Sequence, residues 1–169
     1  FIHISSYILV FLSWMSIFII EILGSRIIGP YLGSSLYTWT ALIAVVLFFI
    51  TVWSIVWGYF ADKHSFHKLI QILSLSTAVF FVFLLLFASY ISRFIVSFSW
   101  DIRFSSLILA SILFWPIIFV LAGIFPVVTK RDIVDLSTDG YVIGKLSMIS
   151  TYGSLLGIWL GIFVMIPFG

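Results

Sequence analysis

The sequence predicts an all-α fold, a polytopic membrane helix bundle with five transmembrane helices, and three features predict it. Hydrophobic residues make up 63% of the 169 positions and charged ones only 8%, against about 25% charged in a soluble domain. The apolar content is gathered into long stretches at residues 1–20, 27–61, 69–92, 104–129 and 146–169, divided by charges. None of them has the ten-residue alternation of a membrane β-barrel, and in lipid a helix satisfies its own backbone.

A span needs about 20 predominantly apolar residues, which places the first helix at residues 4–23. The second stretch is too long for one span. Gly29, Pro30 and Gly33 followed by Ser34 and Ser35 predict a turn at its start, so the second helix runs over residues 36–60. The third covers residues 68–91. The fourth covers 105–125 and is ended or kinked by Pro126, and the fifth covers 145–166. Between the third and fourth, residues 93–103 mix Phe94, Ile95, Val96, Phe98 and Trp100 with polar side chains, the composition of an interfacial segment. Trp39, Trp53, Trp57, Trp100 and Tyr37 fall near predicted helix ends and read as interface anchors rather than ligand stackers.

Loop charges predict orientation. The second-to-third and fourth-to-fifth connections hold Lys63, Lys68, Lys130, Arg131 and Lys145, while the other two hold Arg26, Arg93 and Arg103. The bias puts the N-terminus and the two more basic loops in the cytoplasm of a multi-pass membrane protein. Hydrophobicity continues past the first thirty residues, unlike a cleaved signal peptide ahead of a soluble domain. The chain starts at Phe1 rather than Met and stops at Gly169 just after a proline. Both suggest either trimmed termini or a longer protein only partly represented, and a sixth helix beyond Gly169 would return it to the cytoplasm.

A formal charge of +2, scattered along the chain, is no footprint for a nucleic-acid partner. The absence of cysteine removes disulfides, thiolate metal sites and thiol nucleophiles. No glycine-rich nucleotide turn and no paired catalytic carboxylates occur, so neither catalytic residues nor cofactors are expected.

A few polar positions stand out. Glu21 and Arg26 lie in or beside the first span, where an ionisable group is costly unless paired or hydrated. On an unbroken helix they sit about 140° apart, so direct pairing requires unwinding at Gly24 or Ser25. A structural ion pair at the outer interface and a proton- or substrate-coupling carboxylate both account for them. Gly153, Gly157 and Gly161 recur every four residues on the fifth helix, a face against which another helix packs closely. Gly58, Asp62 and Lys63 lead into the second loop and suit a tight hinge, with Asp62 placed to accept from helix N-terminal amides or pair with a base. His64 and His67 beside Asp62 lack a fourth donor, and no metal is expected. Asp132, Asp135 and Asp139 are spaced three and four apart, on one face if helical. They suit either a polycation or a solvated loop with local Lys and Arg partners.

The order of these signals resembles the membrane domain of the spermidine synthase-like transmembrane proteins, whose helices are in turn similar to half of a major facilitator transporter. The likeness rests on Glu21 with Arg26, on Gly29-Pro-Tyr-Leu-Gly33-Ser-Ser-Leu-Tyr37, on Gly58-Tyr-Phe-Ala-Asp62-Lys63, on Phe125-Pro126, and on the run from Gly144 through Ser150-Thr-Tyr-Gly153 to Gly169. The resemblance implies an inner-membrane bundle of about six helices followed by a soluble aminopropyltransferase-like domain that holds the chemistry. The expected function is then a non-catalytic membrane module that packs against or anchors a partner. That partner is another membrane protein, a second copy in a homodimer, or a soluble aminopropyltransferase-like protein, with the lipid bilayer around it. The alternatives are a small or half-sized major-facilitator-like transporter, or the membrane part of a longer aminopropyltransferase-like enzyme.

Overall fold

The computed structural model describes residues 4–133 and 139–166. The chain forms helices α1 (Ile4–Leu32), α2 (Leu36–Lys63), α3 (Phe66–Ser97), α4 (Ile102–Asp132) and α5 (Asp139–Leu160), the last continuing into a π-helical turn at Gly161–Met165. Among the described residues there is no strand, and five helices are long and apolar enough to cross a membrane.

Each helix outruns its predicted span. Glycine and proline near the ends were expected to break the chain, but α1 continues through Gly24, Ser25, Gly29 and Pro30. The turn comes three residues later, where Gly33 takes φ +77° and Ser35 caps α2 by accepting from the Thr38 amide at 3.3 Å. Pro126 likewise does not end α4, which passes through both Pro116 and Pro126 to Asp132. A proline removes one N–H from the ladder, and neighbouring helices make the loss tolerable. Residues 93–103 do not form a segment apart from the helices. Arg93 to Ser97 complete α3, Ile102 and Arg103 open α4, and four residues connect them. In that connection Ser99 has φ 53° and Phe98 stacks on Trp100 with ring centroids 5.0 Å apart.

Helix α4 is the centre of the bundle, packed against α1, α2 and α3. It is buried on most of its circumference because small residues (Ser105, Ser106, Ala110, Ala122, Gly123) alternate with Leu109, Leu113, Phe114 and Ile117. Lipid is as apolar as leucine, so close approach over small residues is what holds membrane helices together. Although α2 and α3 are joined by two residues, both pack on α4 rather than on each other.

Two close-packed seams follow from glycines. At Gly123 an added Cβ would stand 2.6 Å from the Trp57 ring. The indole fills that notch and donates Nε1–H to the Phe119 carbonyl at 2.6 Å. Trp57 is 5% exposed, and Trp53 meets Phe119 edge-on at 4.7 Å. These two tryptophans are therefore seam residues between α2 and α4, correcting their reading as interface anchors. Trp100, half exposed in the α3–α4 connection, sits at a bundle end. The second seam joins α5 to α1, its main neighbour. Gly153 and Gly157 lie against the backbone of Phe11 and Met15, and Gly161 against the side chain of Ile22.

Candidate functional site

The basic end of the bundle brings together residues from all five helices. Asp62 in the last turn of α2 pairs with Lys130 in the last turn of α4, Oδ1 to Nζ 2.8 Å. Neither a helix amide nor the adjacent Lys63 serves as its partner. The Lys63 ammonium instead donates to the Tyr59 hydroxyl, one turn back, and lies 4.0 Å from the centre of its ring. Arg131 stacks over Phe66 at 4.1 Å from ring centroid to guanidinium carbon, and Lys145 lies over the rings of Tyr141 and Tyr7. On α1, the Ser6 hydroxyl donates to Asp132 Oδ1 at 3.0 Å, tying the helix start to the end of α4.

Asp62 and Lys130 line two depressions at once. One is a pocket of about 310 Å³ between α2, α3 and α4, with His64, Phe66, Leu69 and Arg131 on its walls. The other is a lateral groove of about 540 Å³ that runs between α2 and α4 toward α5, past Ser54, Ile55, Gly58, Pro126 and Ile143. At Gly58 an added Cβ would meet nothing within 4 Å. The Asp62–Lys130 pair is well exposed at both partners, so it positions the two helix ends more than it stabilises them. Asp62→Asn should change the melting temperature by no more than the effect of about 1 kcal/mol expected for exposed ion pairs.

Glu21 and Arg26 are not brought together. Both lie on an unbroken α1 with no contact between their charges, and Arg26 instead donates to the Ile166 carbonyl at 3.2 Å. Glu21 is 7% exposed and its Oε2 has no hydrogen-bond partner. It belongs to the buried stripe Ser6, Val10, Ser13, Ile17, Glu21, Gly24, Ile28, and at Gly24, one turn on, the neighbours are Phe114 and Leu42. Because α1 extends to Leu32, eleven residues separate Glu21 from the helix end, about 16 Å at 1.5 Å per residue. The carboxyl therefore stands well inside α1 rather than near the helix end, and the expected ion pair with Arg26 does not form.

Asp132 and Asp139 do not share a helical face. Asp132 closes α4 while Asp139 opens α5, and Asp135 lies outside the described residues. Asp132 has one oxygen on Ser6 and the other buried without a partner, which leaves it little freedom to receive a polycation. His64 directs Nδ1 to the Phe60 carbonyl at 3.3 Å. Among the described residues no three His, Asp or Glu side chains gather as a metal site.

Pairing of Asp62 with a base was one of the two expected roles, but that the base is Lys130, and that His64, Phe66 and Arg131 wall the pocket, was not legible, because these placements join different helices. The only advance signal was the cluster of positive charge at two loops that a simple up-and-down path puts at one end. Compared with protein-family models, with curated proteins and with solved structures, the chain matches none.

Proposed function

We propose that this chain is a non-catalytic membrane module that receives an apolar transmembrane helix of a partner protein in the groove between α2, α4 and α5. The groove itself is the supporting observation. Its walls are largely hydrocarbon and lie within membrane-spanning helices, so an occupying polypeptide must be apolar and must satisfy its own backbone as a helix. Ser54 and Gly58, one turn apart, leave the room a neighbouring backbone needs. A photoreactive residue at Ile55, activated in native membranes, should cross-link to one membrane protein identifiable by mass. Gly58→Leu should abolish the cross-link with an unchanged melting temperature, because the added side chain enters open space. Cross-linking to lipid alone sinks the reading. The resemblance to the membrane domain of the spermidine synthase-like proteins is compatible with a soluble aminopropyltransferase-like partner at the basic end.

A second reading, a small or half-sized major-facilitator-like transporter, is favoured by Glu21 alone. A buried carboxyl inside a span with an unpartnered oxygen is costly to retain and is the kind of group that couples transport to an ion. In liposomes holding the purified protein, Glu21→Gln should abolish a measured flux if that role is real. Equal flux, or none in the parent, leaves Glu21 a structural residue whose replacement alters stability only.

A further inference from the structure

We propose that the pocket at the basic end binds the phosphate of an anionic phospholipid headgroup. Three features of the same cavity point there. First, its polar wall is cationic on balance. Lys130 and Arg131 stand beside a single carboxylate, Asp62, which Lys130 already engages at 2.8 Å. Arg131 lies flat over Phe66, and among the described residues no carboxylate comes within ion-pairing distance of it. A guanidinium held by an aromatic face keeps its edge donors for an anion, and the planar fork suits two phosphate oxygens.

Second, Phe66 opens α3, whose N-cap Ser65 makes no side-chain hydrogen bond and whose first turn holds no acid. The leading amides of that helix add positive potential at the mouth of the cavity. The carbonyl ends of α2 and α4 also finish nearby, but Lys63, Lys130 and Arg131 stand in their last turns and offset them.

Third, the remaining wall is apolar, formed by Leu69, Val127 and the Phe66 ring. Farther along α3, Ile72, Leu75 and Val79 are exposed. A small free anion has no use for such a wall. A headgroup has, because its phosphate stays at the level of the helix ends while its acyl chains lie along α3 in the hydrocarbon. Basic pockets between helices at a membrane surface recognise lipid heads in this way.

The test is native mass spectrometry of the full chain in non-ionic detergent, supplied with phosphatidylglycerol or with phosphatidylcholine. The parent should retain phosphatidylglycerol in preference to phosphatidylcholine. Lys130→Gln with Arg131→Gln should lower that preference roughly tenfold or more, from the loss of two cations near the headgroup. Lys145→Gln, which removes a charge at the same end but outside the pocket, should leave it unchanged. Arg131→Lys keeps the charge without the fork and should fall between, giving a second reading if the double variant does not fold. Equal retention of both lipids, or an equal loss in Lys145→Gln, overturns the proposal. Displacement of the lipid by millimolar inorganic phosphate also overturns it, since the site would then be one for a free anion.

Discussion

Gly157→Ile should separate α5 from α1. A Cβ at that position would stand 2.5 Å from the Met15 carbonyl oxygen and 3.1 Å from its carbon. Both are backbone atoms of a neighbouring helix, so no rotamer change makes room and the helices themselves must move apart. Overpacking a tight interior costs about 1 to 3 kcal/mol and sometimes more, and here the loss spreads along the seam. At Gly153 the clash with the Phe11 carbonyl is as severe, while at Gly161 the obstacle is only the Ile22 side chain, 3.1 Å away. The expected order of damage is therefore Gly153→Ile and Gly157→Ile together, with Gly161→Ala much milder. Gly144→Ala is the control, since nothing lies within 4 Å of its added carbon. Melting in detergent, together with a disulfide engineered between α1 and α5, reads the result. An unchanged cross-link yield in Gly157→Ile would show that the seam does not hold α5.

The other large effect is expected at Trp57. Truncation to alanine empties the notch over Gly123, removes the ring contacts with Phe119 and Phe60, and leaves the Phe119 carbonyl without its indole donor. Large aromatic-to-alanine changes in packed interiors cost about 3 to 5 kcal/mol. Trp57→Phe retains most of the volume and loses the hydrogen bond, worth about 1 kcal/mol. Chemical denaturation of the three proteins in one detergent should give that order. If Trp57→Phe proves as damaging as Trp57→Ala, the hydrogen bond, not the packing, dominates the seam.

The fold class and the order of the five helices were legible because charges are scarce and fall between apolar stretches. The lengths were not. Gly29-Pro30 and Pro126 are reliable stops where water competes for freed backbone groups, but α1 and α4 run through them, since a membrane offers the backbone no better partner than the helix. The same shortening set Glu21 two residues from the end of its helix, where the longer α1 leaves eleven residues beyond it. Trp53 and Trp57 were misread for a related reason. An indole suits both a headgroup layer and a notch, and only knowledge of which helix faces α2 distinguishes them. The row at Gly153, Gly157 and Gly161 announced a close-packing face from spacing alone, yet the identity of the helix it meets could not be read there. Sites formed between helices, such as Asp62 with Lys130, carry no local periodicity at all.

The helices of 28 to 32 residues that make up α1 to α4 extend about 42 to 48 Å, well beyond a hydrocarbon layer of about 30 Å. Surplus of that size is absorbed by leaning, by overhang into the polar zone, or by drawing the surrounding lipid thicker. Thin, short-chain lipid should therefore ask more lean of these helices than thick, long-chain lipid, a dependence that tilt measurements in bilayers of graded chain length would read.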